Sequence, residues 1–325
     1  RYNGLGEMTR VRESLRAFLS GLIDYAGLFP PASLDLETAI HNHARYVRDA
    51  DAWVLSRFIA PTARFTQLAP HAALFADGPQ LSLSALVAQS NDAQACVAAV
   101  RDSVHEVEWL RDRCPETVRV EALEVPLPPE RVTRDVFARI AELAAEARLE
   151  VACEVTAPRD EHWRTLLFDT LDAMAAHVAT GATPVQFKLR TGGVTAAAIP
   201  TCGQVAAAIA GCQQRGLAMK FTAGLHHPLR MEREEVGARM HGFVNVFAAG
   251  LLAFAHKWDE PQLQALVADE DAAHFGFTAD GLQYGNAFVS TEDIRRLRQS
   301  HLRSYGSCSF TEPLEDLRAL GDLER

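Results

Sequence analysis

Phe187-Lys188-Leu189-Arg190-Thr191-Gly192-Gly193 and Met219-Lys220-Phe221-Thr222-Ala223-Gly224 share one plan. Each is a short apolar run with a lysine inside it and a turn of Thr and Gly at its end. Between them Val205, Ile209 and Cys212 repeat at i, i+4 and i+7, and Gly216 follows as a helix stop. A buried strand, a helix and a second buried strand make a βαβ unit, the building block of parallel sheets.

The same alternation runs outward in both directions. Apolar runs occur at 22–28, 53–60, 81–88, 118–127, 150–157, 185–190, 217–223 and 242–248. Helical stretches lie between them, at 35–49, from Asn91 onward, and after Thr133, where Val136, Ile140 and Leu143 repeat at helical spacing. The runs are apolar nearly throughout, as strands covered on both faces are. Eight strand–helix units in about 250 residues predict an α/β fold, a (β/α)8 TIM barrel. A doubly wound open sheet is the alternative, but no G-x-G-x-x-G follows the first run. The barrel is expected over 8–270. Residues 1–7 precede Met8 and are read as upstream residues or a cloning remnant. Residues 271–325 are expected as a C-terminal extension that packs on the barrel, covers its mouth or joins a dimer. They hold two helix starts, at Ser290-Thr291-Glu292-Asp293 and Thr311-Glu312-Pro313.

The net charge is −10 and no basic tract stands out, which argues against nucleic acid and anionic membranes as partners. No apolar run approaches the length of a membrane span, and no signal-peptide pattern is present, so a cytoplasmic location is expected. The six cysteines form no C-x-x-C pair and read as reduced core residues.

Chemistry is sought at the strand ends, where barrels of this class carry their sites. Asp24 interrupts the first run and Arg57 the second. Glu121 and Glu124 flank the fourth, on opposite faces by their odd spacing. Glu154 interrupts the fifth. Lys188 and Arg190 share a face of the sixth, Lys220 and Thr222 a face of the seventh, and His226-His227 follow in its loop. Only three of the 32 basic residues are lysines, Lys257 being the third and read as surface. Lysine, unlike arginine, can lose its proton and attack a carbonyl. Two lysines on neighbouring strands disfavour each other's charge, so one amine is expected to be neutral near pH 7. A Schiff base formed there is an electron sink for the adjacent carbon–carbon bond, and the carboxylates handle the protons. The competing reading is an ion-pair ladder that merely fills the barrel.

Lys188-Leu189-Arg190-Thr191-Gly192 resembles the K-x-x-T-G motif on strand six of deoxyribose-phosphate aldolase and its class I aldolase relatives. Lys220-Phe221-Thr222-Ala223-Gly224 resembles that family's strand-seven K-x-[ST]-[GA]-G motif. The resemblance covers about residues 118–250. It implies Lys188 as the Schiff-base lysine and Lys220 as the second lysine that lowers its neighbour's pKa. It implies Glu124 in place of the acid–base aspartate and Glu154 as the strand-five glutamate. The family grips a substrate phosphate with Gly- and Ser-rich loops after strands seven and eight. Here those loops read Leu225-His226-His227-Pro228 and Val244-Asn245-Val246-Phe247, without a serine pair.

The expected function is therefore a lyase: class I aldolase-like cleavage or formation of a carbon–carbon bond in a small, non-phosphorylated oxo compound. Lys188, Lys220, Glu124, Glu154 and Asp24 are the expected catalytic residues. Arg190, Thr222, His226, His227, Arg57 and Asn245 are the expected substrate-binding residues, with Arg190 and Arg230 suited to a carboxylate. No organic cofactor is implied, and a homo-oligomer is compatible with the extension. The alternative is a metal-dependent barrel hydrolase or isomerase, with a divalent ion on His226 and His227 completed by Asp24, Glu124, Glu154 or His241.

Overall fold

The computed structural model describes residues 11–234 and 236–321. The residues before Met8 and the last four residues of the tail lie outside that range. After helix α1 (Glu13–Leu19) the chain alternates strand and helix. The order is β1 (Ile23–Tyr25), α2 (Leu36–Tyr46), β2 (Leu55–Pro61), α3 (Phe65–Leu68), β3 (Leu81–Leu86), α4 (Ala93–Arg113), β4 (Val118–Pro126), α5 (Arg134–Glu146), β5 (Glu150–Glu154), α6 (Trp163–Val178), β6 (Val185–Arg190), α7 (Cys202–Arg215) and β7 (Met219–Thr222). A hairpin of β8 (Met231–Arg233) and β9 (Ala238–Met240) follows, then α8 (Phe243–His256) and α9 (Glu260–Ala268). A three-stranded antiparallel sheet comes next, of β10 (Phe275–Phe277), β11 (Gly281–Tyr284) and β12 (Ala287–Ser290). Helix α10 (Thr291–Ser300), strand β13 (Leu302–Ser307) and helix α11 (Thr311–Ala319) complete the described chain.

Among the described residues eight parallel strands close into a barrel in the order β1-β13-β7-β6-β5-β4-β3-β2. The barrel is thus a (β/α)8 barrel, but its last strand is not the one expected. The run 242–248 is the first half of α8, and the barrel is not complete at residue 270. Strand β13, from within the segment expected as an extension, pairs with both β1 and β7. The physical reason is burial. Helix α8 is buried from Phe243 to Ala253 and apolar on every face apart from Asn245, and a short stretch of such a helix has no visible period. Phe247 packs against Phe18, Phe221 and Tyr305, and Phe243 stacks on Tyr305. The part of the C-terminal segment that is extra to the barrel is the small sheet β10–β12 with α10, inserted before the closing strand.

Local signals held where they had a mechanism. Helix α7 ends on Gly216 at φ 64°, the left-handed stop that glycine favours. The Ser290 side chain caps α10 by accepting from Asp293 N–H. Thr133 stands at the cap position of α5, but its side chain makes no capping bond. Strand β4 carries a register shift where Leu83 faces Val120 but Ser84 faces Ala122. The extra residue is Glu121. This bulge puts Glu121 and Glu124 on the same, inner face despite their odd spacing.

Candidate active site

The inner face of the barrel is charged, and its charges alternate. Ser304 Oγ donates to Asp24 Oδ2 at 2.5 Å, and Lys220 Nζ donates to the same oxygen at 2.7 Å. Lys220 Nζ also donates to Glu124 Oε1 at 2.6 Å, an oxygen that accepts from Ser84 Oγ as well. Glu124 Oε2 pairs with Lys188 Nζ at 2.6 Å, and Lys188 Nζ pairs with Glu154 Oε2 at 2.8 Å. Glu154 Oε1 accepts from Arg190 Nε at 2.8 Å. The row Asp24, Lys220, Glu124, Lys188, Glu154, Arg190 therefore runs from the middle of the barrel to its rim. Sequence produces this row through register. Lys188 faces Lys220 across β6 and β7, and Glu154 faces Lys188 across β5 and β6.

Five of these six side chains are at most 4 % exposed. Only Arg190, at 47 %, reaches solvent. Burial alone would neutralise such groups. Here it is outweighed by the neighbours. Burial raises the Glu124 carboxyl, but Lys188 and Lys220 lower it more, and it ends well below the usual carboxylate range. Glu154 and Asp24 are held low in the same way, by Lys188 with Arg190 and by Lys220 with Arg57. Lys188 is pulled down by burial yet pushed above its ordinary value by Glu124 and Glu154. The expectation of a neutral amine is corrected at Lys188, the lysine expected to form the Schiff base. Glu124 and Glu154 flank the Lys188 amine, and their attraction outweighs its burial.

A cleft of about 570 Å³ opens over this row at the C-terminal ends of the strands. Glu124, Glu154, Lys188, Arg190, Thr222 and His226 line it, whereas Asp24 and Lys220 lie beneath its floor. The two lysine motifs build part of the wall. Thr191 Oγ1 donates to Ala223 O at 2.7 Å, and Thr191 N–H donates to Thr222 O. A Cβ on Gly192 would stand 2.6 Å from the Gly224 Cα, so the two turns touch backbone to backbone. The Thr and Gly of each motif thus lock β6 to β7 and fix the height of both lysines.

The remaining expected site residues are dispersed. Arg57 lies at the end of the barrel where the strands begin. Its side chain donates to Glu121 Oε2 at 2.8 Å and Glu150 Oε2 at 2.9 Å, and Arg303 joins Glu150 from β13. Arg57 does not line the cleft; only its backbone N–H meets the row, at Asp24 Oδ1. Asn245 is buried on α8, not on a strand. It accepts from Arg230 N–H and donates to Leu266 O and Asp269 O, which fixes α8 to the last turn of α9 and the loop after it. The Arg230 guanidinium pairs with Glu270. His241 bonds the Pro200 carbonyl.

His226 and His227 diverge. His226 lines the cleft, with Glu312 Oε2 at 3.5 Å and Cys308 Sγ at 3.9 Å from its Nδ1. His227 is engaged by Asp316 and by Arg233. Glu312 and Asp316 lie one turn apart on α11, so that helix folds over the histidine loop at the barrel mouth. Among the described residues no three His, Cys, Asp or Glu side chains are grouped to hold a metal ion. Burial lowers the His226 pKa, but Cys308 and Glu312 raise it further, to about 9.

Ser84, Ser304, Cys308 and Glu312 were not singled out from the sequence. Glu312 lies on α11, and Ser304 and Cys308 belong to β13 and its loop, whose large side chains are too few for an apolar run. Its inner positions Ser304 and Gly306 are small because Asp24 and Thr222 press against them. The true last strand ends in Gly306-Ser307 and is followed by Cys308-Ser309, so one serine ends the strand and another stands in its loop. Both hydroxyls act as local caps: Ser307 Oγ accepts from Ser309 N–H and Ser309 Oγ from Glu312 N–H.

No protein-family model matches the sequence, and no curated protein sequence matches it. Solved structures of similar shape include deoxyribose phosphate aldolase from Aeropyrum pernix, described as tetrameric. It is 11 % identical with a TM-score of 0.49, over 95 % of this chain and 98 % of that one. Human mitochondrial enolase superfamily member 1 is 13 % identical with a TM-score of 0.40, over 65 % of this chain and 41 % of its own. The carboxyl transferase domain of Rhizobium etli pyruvate carboxylase is 13 % identical with a TM-score of 0.41, over 80 % of this chain and 43 % of its own. At such identities and scores these likenesses carry no argument about chemistry. The barrel itself rests on its strand order.

Proposed function

We propose that this chain is a barrel enzyme of the class I aldolase type. Lys188 forms an imine with the carbonyl carbon of a small oxo compound, and the bond next to that carbon is broken or made. The observation that carries the reading is the setting of Lys188. It belongs to a registered lysine pair, it lines the cleft, and it lies between two carboxylates that can each accept its proton.

The steps follow from that setting. Lys188 rests as an ammonium, so it first gives a proton to Glu154 or Glu124. The free amine adds to the carbonyl carbon. The oxygen takes one proton from the adding nitrogen and one back from the carboxyl and leaves as water, and a protonated imine remains. On cleavage the electrons of the adjacent carbon–carbon bond move to the imine nitrogen. A carboxylate takes the proton from the oxygen of the departing fragment. Lys220, below the floor, holds Glu124 and Asp24 in place. The positive imine replaces a positive ammonium, so the charge beside Glu124 and Glu154 is unchanged by the step. As read here, the reaction uses no organic cofactor.

A second reading has its own support. Lys188 is held protonated and every member of the row is paired, which is what a structural ladder requires. Borohydride reduction with a panel of small aldehydes and oxo acids, followed by peptide mass analysis, separates the two. With three lysines in the chain the assignment is direct. A reduced adduct on Lys188 supports the enzyme. No adduct with any carbonyl, or adducts confined to exposed Lys257, would leave the ladder as the better account.

A further inference from the structure

The cleft is divided. Its β4–β7 half carries Glu124, Glu154, Lys188, Arg190 and His226. Its β1–β3 half carries Phe29, Ile59, Pro61, Leu86 and Val87, with small alanines between them. Closure of the barrel sets these halves face to face. Gly306 keeps the boundary open. A Cβ there would stand 2.9 Å from Thr222 Oγ1 and 3.1 Å from Ile59 Cδ1, one atom from each half.

The charged half and the residues beside and beneath it carry one more cation than anion. Arg159 donates to the carbonyl oxygens of Ala198 and Arg190 and makes no salt bridge among the described residues, with Glu154 acting on it only from a distance. With Lys188, Lys220 and Arg190 it makes four cations against the carboxylates of Asp24, Glu124 and Glu154. Arg190 uses only Nε on Glu154, and its Nη atoms make no bond among the described residues. One carboxylate, Glu154, already bridges Lys188 and Arg190. One short molecule with a carbonyl beside a carboxylate can bridge them in the same way. Size points further. At ~30 Å³ per water-sized unit the cleft has room for on the order of twenty such units, against about six non-hydrogen atoms in a three-carbon oxo acid. The remaining space is bounded by the apolar half.

We propose that the cleft takes a 2-oxo acid monoanion with an apolar alkyl or aryl substituent. Its carbonyl lies at Lys188, its carboxylate at Arg190, and its substituent on the wall of Phe29, Ile59 and Leu86. This rests on the imine reading for the placement of the carbonyl, but the binding itself does not need an imine. The test therefore uses ligands without a carbonyl, measured by calorimetry on the full chain. The compounds are 2-hydroxy-4-phenylbutanoate, 2-hydroxypropanoate, 4-phenyl-2-butanol and glycerol 3-phosphate. The phenyl acid is expected to bind about tenfold or more tighter than the short acid and the uncharged alcohol. Arg190→Met is expected to erase the preference for acid over alcohol, and Phe29→Ala to narrow the preference for the phenyl group. The order in the wild-type protein alone decides the case if either variant folds poorly. Equal binding of the two acids, tighter binding of the phosphate ester, or no binding of the phenyl acid would overturn the proposal. The phenyl acid binding as expected while no carbonyl compound is trapped would sink only the imine.

Discussion

Glu124→Gln tests the electrostatic logic of the barrel interior at its centre. The substitution keeps the shape of the side chain and removes the anion that stands 2.6 Å from each of two lysine amines. Removing one member of a buried ion pair typically costs about 3–5 kcal/mol, because a charge is left without its partner. Lys188 retains Glu154 and Lys220 retains Asp24, so the loss is expected within that range and not above it. The pH dependence gives the sharper check. The native carboxyls of Asp24, Glu124 and Glu154 lie below their ordinary values. Such groups contribute stability that is present above the unfolded carboxyl pKa, about 4, and is lost as pH falls through the native values. The wild-type protein should therefore hold its stability from pH 7 down to about 4 and lose it steeply below. In Glu124→Gln, Lys188 loses one of the two partners that raise it, so its deprotonation on raising the pH relieves strain. The gap between variant and wild type should narrow from pH 7 toward pH 10. Urea unfolding at pH 3.5, 5, 7 and 9.5 measures both effects. A loss under about 1 kcal/mol at pH 7, or a gap that widens as pH rises, would refute the ion-pair account.

Two further outcomes are expected. Gly192→Ala places a methyl group 2.6 Å from the Gly224 Cα, and overpacking of this kind costs about 1–3 kcal/mol. Thermal unfolding should show that loss, and borohydride trapping on Lys188 should fall because β6 and β7 part. His226 is raised to about 9, so its contribution to stability is fully present below its unfolded pKa near 6.5 and is lost as pH rises through about 9. Denaturation between pH 6.5 and 9.5 should show that loss in the wild-type protein and a flatter profile in His226→Asn; identical profiles would count against the His226–Glu312 contact.

Much of the barrel was legible because parallel strands are buried on both faces and announce themselves as apolar runs. Strands β2 to β7 and the helices capped by Asp35, Asp92 and Ser290 needed no tertiary information. The lysine pair was legible too. A lysine inside an apolar run is costly unless something meets it, and the spacing of 188 and 220 in equivalent turns set them side by side. The closing strand was not legible. What makes β13 a barrel strand is its position between β1 and β7, and its inner residues are small and polar for reasons that lie on those neighbours. Helix α8 passed for a strand because complete burial erases the helical period.

By itself, then, the sequence determined a parallel barrel with two lysines and several carboxylates on adjacent strands. Only the tertiary structure decided which of them meet. Register and the bulge at Glu121 turned Glu124 inward and set it between the lysines, so that Lys188 is held protonated rather than neutral. Barrel closure sent Arg57 to one end and Arg190 to the other, and buried Asn245 in a helix. Charge in a low-dielectric interior is governed by distances of a few ångströms, and those distances exist only once strands far apart in the chain are brought together.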